Sequence, residues 1–253
     1  FVIILIAQLS PTQDMMKFAL GSEYAWVWKD GGVISTWRIP ANNMGPILME
    51  GDRVLAVRND DPPQRGDIWV FKHPNSDRNL VKRLIGLPGD TIQMKRGHLI
   101  LNGATIQRTL VRNVNYWEDR LIVEAVEYSE QLPGESAAHL IHEFSDSGGL
   151  DETPVFKVPA GRLFFMGDNR DNSEDSRAPS GHRSLAKTTP GAWLYRDAKL
   201  PEDTRDDAIG FVPNENLIAR VATVVLSTRA CPTRKPVPGS DVKCLPAPIG
   251  KRL

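Results

Sequence analysis

Between Arg53 and Leu226 the chain is built from short apolar runs bounded by polar and turn-forming residues, a pattern of strands more than of helices. Arg53-Val54-Leu55-Ala56-Val57-Arg58, Asp67-Ile68-Trp69-Val70-Phe71-Lys72 and Asn79-Leu80-Val81-Lys82-Arg83-Leu84-Ile85-Gly86 have strand character. Gly51-Asp52, the stretch from Pro62 to Asp67, and Leu87-Pro88-Gly89-Asp90 supply the turns between them. Thr91 to Met94 and His98 to Leu101 flank Lys95-Arg96-Gly97, and Asn102-Gly103 offers another hairpin turn. A more polar block follows as far as Pro159. Core-like runs return from Gly161 to Asp168 and from Asn216 to Leu226. The spacing predicts a mainly β protein with a core domain at 21–89 and 160–228, and a smaller β subdomain inserted at 90–159. Residues 178–208, full of Arg, Asp, Pro and Ser, are expected to form a long surface loop, and 229–253 a Pro-rich tail.

The ends of the chain read differently. Phe1 to Leu9 is apolar except for Gln8, shorter than the roughly 20 apolar residues of a membrane span, so it reads as the end of an anchor over residues 1–20 or as a buried strand. Tyr24, Trp26, Trp28 and Trp37 follow, aromatics suited to a membrane surface, a binding groove or packing against the first sheet. Lys+Arg and Asp+Glu both number 31, so charge gives no reason to expect a nucleic acid partner. Cys231 and Cys244 stand in the tail, as a disulfide or as two thiols, and neither lies at metal-ligand spacing from a His. No metal and no cofactor are expected. None of the five histidines has a recognisable catalytic context.

Two clusters carry candidate chemistry. Lys82 lies between Leu80-Val81 and Leu84-Ile85, and a lysine buried among apolar groups loses its proton readily enough to act as a base. Strand alternation predicts that one of Lys82 and Arg83 is buried and the other solvated. By itself Lys82 reads more simply as an exposed edge lysine. Gly167 to Arg177 packs four carboxylates, two arginines and two serines into eleven residues, which without further context is a solvated, salt-bridged turn.

A third stretch changes both readings. Ile39-Pro40-Ala41-Asn42-Asn43-Met44-Gly45-Pro46, together with Lys82-Arg83-Leu84-Ile85-Gly86-Leu87-Pro88-Gly89-Asp90 and Gly167-Asp168-Asn169-Arg170-Asp171-Asn172-Ser173-Glu174-Asp175-Ser176-Arg177, resembles bacterial signal peptidase I. That family is a membrane-bound serine/lysine peptidase that removes signal peptides from exported proteins. The resemblance implies an antiparallel β-sheet core, with Lys82 as general base and Ser173 hydrogen-bonded to its amine. Arg83, Asp168, Asp175 and Arg177 then form an ionic frame behind the base. It implies an edge beginning at Ile39-Pro40 on which an extended signal-peptide segment adds as a strand, and pocket walls for small side chains at Met44, Leu80 and Val81, apolar residues that otherwise read as core packing. The partners it implies are signal peptides and the lipid bilayer. It also implies a monomer whose folded domain lies on the periplasmic face of the inner membrane.

The resemblance fails at the nucleophile. Asn43 occupies the place of the attacking serine and Ala41 that of the serine whose hydroxyl joins the oxyanion hole, leaving only the backbone N–H of Asn43 as a donor there. A carboxamide has no hydroxyl to deprotonate, and losing the nucleophile of such a unit lowers turnover about a million-fold. Three readings remain open at this point: a chain that holds signal peptides without cutting them, a peptidase using another hydroxyl such as Ser35 or Thr36, and a non-catalytic scaffold at the membrane surface.

Overall fold

The structure, a computed structural model, describes residues 33–58, 60–118, 121–178, 208–229, 247–251 and 253. The apolar start, Tyr24, Trp26, Trp28, the stretch 179–207, Cys231 and Cys244 lie outside these residues. Among the described residues no helix is long and apolar enough to cross a membrane.

In chain order the strands are β1 (Val33–Arg38), β2 (Asp52–Arg58), β3 (Ile68–Lys72), β4 (Asn79–Gly86), β5 (Thr91–Lys95), β6 (His98–Leu101) and β7 (Ala104–Thr105). They continue with β8 (Arg108–Glu118), β9 (Leu121–Glu130), β10 (His139–Glu143), β11 (Phe156–Lys157), β12 (Arg162–Met166), β13 (Val212–Pro213) and β14 (Leu217–Ser227). The apolar runs read from the sequence correspond to β2, β3, β4, β12 and β14. These join β1 and β13 in one antiparallel sheet of order β1-β2-β14-β3-β4-β12-β13. Residues between β4 and β12 form two further sheets, β11-β5-β6-β7 and β10-β9-β8. The polar block contains the long hairpin β8–β9, which sequence patterning left without elements.

Strand β4 lies between β3 and β12, and both of its faces are covered. On one side Ile85 packs with Ile92, Met94, Leu99 and Phe164. On the other Leu84 packs with Trp69, Phe71 and Phe165, the last two rings stacked 4.5 Å apart. A third cluster holds Ile39, Met44, Leu48, Val54, Ile68 and Val70, with Trp37 and Val81 against it. Each apolar side chain buried in these clusters contributes about 2 kcal/mol. The burial continues without a break from Lys82 to Gly86, so alternation no longer separates an inner from an outer face. This corrects the expectation that one of the two basic residues stays solvated: Lys82 is 1% and Arg83 4% exposed.

Candidate active site

Lys82 enters the interior from the middle of the sheet, opposite Trp69 on β3. Its Nζ is buried and meets no hydrogen-bond partner. Burial lowers the pKa of its ammonium to about 8; Asp175, Glu174 and Asp168 pull it back upward, while Arg177 adds to the lowering. An amine in that state is within reach of the neutral form that a general base requires. Ser173 Oγ is likewise buried without a partner, so the expected hydrogen bond between Ser173 and Lys82 is not made in this structure. Catalytic hydrogen bonds of this kind are often loose in the absence of substrate and tighten once it binds.

Asp168 and Asp175, beside Lys82, are paired with Arg83 and Arg177 instead of with the amine. Arg83, opposite Met166 of β12, forms a two-pronged bond with Asp168, Nε to Oδ1 and Nη2 to Oδ2, each 2.7 Å. Its Nη1 donates to the Gly66 carbonyl at 2.6 Å. Arg177 grips Asp175 through Nε at 2.9 Å and Nη2 at 2.8 Å, and that carboxylate also accepts the Gly167 N–H at 3.0 Å. Burial opposes charge on Asp175, but Arg177 more than compensates and keeps its pKa below the usual carboxylate range. Neutralising its neighbours in this way leaves Lys82 without a dedicated counter-ion, which is what permits a lowered pKa.

The loop after β1 carries Asn43. The Asn43 carbonyl accepts the Asn169 N–H at 3.3 Å, and a Cβ on Gly167 would collide with that carbonyl and with Ser173 Oγ. Gly167 therefore brings the Asn43 backbone and the Ser173 side chain to a common point at the end of β12. Asn42 is locked from both sides: its Oδ1 accepts the Glu50 N–H at 2.9 Å and its carbonyl accepts Asn169 Nδ2 at 3.1 Å. The Gly45–Pro46 peptide bond is cis. Asn43 itself is half-buried and Ala41 exposed.

Of the residues expected to line a substrate edge, Ile39 and Met44 are 2% and 0% exposed and belong to the core. Pro40 is exposed and Leu80 and Val81 half-buried. Ser35, an alternative nucleophile in the sequence reading, receives the Trp37 Nε1 proton at 2.9 Å and donates to the Ala56 carbonyl, so its own proton is directed at the backbone of β2.

Several site-building residues escaped the sequence reading. His142, fully buried, bonds Glu127 through Nε2 at 3.3 Å and stacks on Tyr116, whose hydroxyl accepts Asn169 Nδ2 at 2.8 Å. His142 also links to the motif loop through its backbone, from its N–H to the Asp168 carbonyl and from the Arg170 N–H to its own carbonyl. Along β9, Val123, Ala125 and Glu127 share the inward face. A carboxylate at the inward position of an alternating strand was the signal available for this network. Arg170 is held by Glu130; burial raises the Glu130 pKa, but Arg170 and His139 outweigh it and bring it down to about 2. Glu143, Asp151 and Asp171 form a group of carboxylates close enough to share a cation, although sequence spacing gave no reason to expect a metal. Burial and then mutual repulsion raise Glu143 well above its ordinary range and Asp151 to about 6.

Known proteins resemble the chain over most of its length. A family profile described as signal peptidase, peptidase S26, matches residues 24–226. Signal peptidase I of Pseudomonas aeruginosa is 31% identical over 212 residues, 77% of this chain, and the chain spans 66%, just under two thirds, of that protein's length. Signal peptidase I of Rickettsia felis is 34% identical over 227 residues, 87% of this chain and 70% of that one. A solved signal peptidase I from Enterococcus faecalis is 22% identical, covers 64% of this chain and 98% of its own, and superposes with a TM-score of 0.32. With a matching profile over most of its length and relatives at this level of identity, the chain belongs to the signal peptidase family, peptidase S26.

Proposed function

We propose that this chain is a signal-peptide-binding member of the signal peptidase I group whose hydrolytic step is lost or severely impaired. One observation carries the reading. A buried, partnerless lysine amine sits within a complete frame of ion pairs, while the residue brought up to that frame as nucleophile carries a carboxamide. The frame supplies a base, but no hydroxyl at Asn43 for it to deprotonate and no hydroxyl at Ala41 for an oxyanion. Binding has fewer requirements. An extended peptide needs only a strand edge and pockets for alternate side chains; β1 ends the large sheet among the described residues, with Pro40 exposed just beyond it and Leu80 and Val81 half-buried on β4. In this reading the domain works as a monomer at the extracytoplasmic face of the inner membrane, with no cofactor, and its partners are the signal peptides of exported preproteins and the bilayer.

The test pairs cleavage with binding. Incubated in detergent with a preprotein bearing an Ala-x-Ala site, the unmodified chain is expected to leave the substrate intact, and Ala41→Ser with Asn43→Ser to restore measurable cutting. Fluorescence titration with a signal peptide should saturate in the micromolar range. Lys82-dependent cleavage by the unmodified chain would overturn the loss of hydrolysis, and absence of saturable binding would favour a membrane-surface scaffold instead.

A further inference from the structure

Glu143 at the end of β10, Asp151 in the following loop and Asp171 in the motif loop each place a carboxylate oxygen within 4.8 Å of the other two. All three residues are buried, at 1%, 0% and 2% exposure. The protein satisfies one oxygen of each. Glu143 Oε1 accepts Arg108 Nη1 at 3.1 Å, and Asp171 Oδ2 accepts the N–H groups of Phe144 at 2.6 Å and Ser145 at 3.0 Å. Asp151 Oδ2 accepts the Gly148 N–H at 2.5 Å. The second oxygens, Glu143 Oε2, Asp151 Oδ1 and Asp171 Oδ1, are buried and have no donor at all.

Buried acceptors are nearly always paired, and one unsatisfied oxygen would ask for an explanation; here three occur in one cluster. Of the nearby guanidiniums, Arg108 bonds Glu143 and Asp146, Arg170 bonds Glu130 and Arg177 bonds Asp175; Arg170 Nε and Arg177 Nη1 are left over, yet neither bonds any of the three oxygens. We infer that Glu143, Asp151 and Asp171 form a binding site for a hard divalent cation, of the calcium or magnesium class. The donor set is all carboxylate, which suits these ions and not the thiolate- and imidazole-seeking metals. Backbone N–H groups hold one oxygen of Asp151 and of Asp171, and Arg108 one of Glu143; fixing ligands through their second atom is the usual way a protein orients them for a metal. Gly148 fits the same arrangement: a Cβ there would stand 2.9 Å from Asp171 Oδ1 and 3.2 Å from Asp151 Oδ2, so the loop lies close over the carboxylates. A cation here would tie β10, the 145–151 loop and the motif loop that carries Ser173 and Asp175 into one unit.

The inference is tested on the full chain dialysed against EDTA and then melted with CaCl2 or MgCl2 at millimolar concentration. The expected result is a rise in Tm on the order of 5 °C with at least one of the two ions, which also identifies the ion. Asp151→Asn and Glu143→Gln should each raise the half-saturating concentration at least tenfold. Without cation Asp151→Asn should melt at or above the unmodified chain, because it removes a like charge from a carboxylate that no guanidinium holds, so a lost response in that variant would not reflect misfolding. Should neither ion shift the Tm of the unmodified chain, or should both variants respond as it does, the site does not exist as described.

Discussion

Gly167 and Asn43 approach so closely that a side chain on the first would occupy the carbonyl of the second. Ser173 Oγ presses on the same point, and Asn169, two residues beyond Gly167, donates its backbone N–H to the Asn43 carbonyl. Asn43 and Ser173 are thus registered to each other through a residue with no side chain.

Gly167→Ala should force the Asn43 loop and Ser173 apart, costing about 2–3 kcal/mol of stability as an overpacking change. In the Ala41→Ser, Asn43→Ser background it should also abolish the recovered cleavage. Denaturant unfolding and the cleavage assay check the two effects separately, and full activity in the triple variant would show that the registration does not matter.

Lys82→Met should stabilise the fold at neutral pH. The folded-state pKa, about 8, lies below the ordinary 10.5, so between those values the unfolded chain holds the extra proton. Stability of the unmodified protein therefore rises with pH across that window, and the penalty is fully present below it. A gap of that size corresponds to about 3 kcal/mol, which Lys82→Met should recover at pH 7 and which should vanish above about pH 11. Urea unfolding at both pH values measures it.

The Arg83–Asp168 pair should behave as a buried ion pair that is harmful to break. Asp168→Asn removes the two-pronged carboxylate and leaves the buried guanidinium only its longer contact with Glu135 at 3.5 Å, and is expected to destabilise by about 3 kcal/mol. Arg83→Lys should also destabilise, since one ammonium cannot reproduce the two-pronged bond to Asp168 and still reach the Gly66 carbonyl. Thermal melts of the two variants decide this, and an unchanged Tm in both would contradict the geometry.

Ser173→Ala offers the opposite signature. The hydroxyl is buried and unpaired, so its removal should leave Tm unchanged or raised. In the serine-restored background kcat should fall with KM little altered, and the alkaline limb of the pH profile should move, because Ser173 acts on the base and not on the peptide. A fall in Tm with an unmoved pH profile would make its role structural.

Much of the fold was legible because the strands of the large sheet are written as apolar runs with turn residues between them, as in Arg53 to Arg58 and Asn79 to Gly86. The hairpin β8–β9 was not, since its outward residues, Leu110 and Val111 among them, break the contrast between an apolar and a polar face. Lys82, Ser173 and the residues of the ionic frame were named from their motifs. The His142–Glu127–Tyr116 network and the carboxylate trio could not be, because their members come from strands and loops far apart in sequence and meet only through the sheet order.

The sequence by itself determined the family, the strand-rich class, and the carboxamide at Asn43, because each rests on residue identity or on local periodicity. Only the tertiary structure decided that Lys82 and Arg83 are both buried, that Ile39 and Met44 belong to the core, and that three half-satisfied carboxylates share one place. Those outcomes depend on which strands flank β4 and which loops close over them. Burial and charge pairing are properties of neighbours in space, and a central strand covered on both faces erases the alternation from which a single sequence would have to infer them.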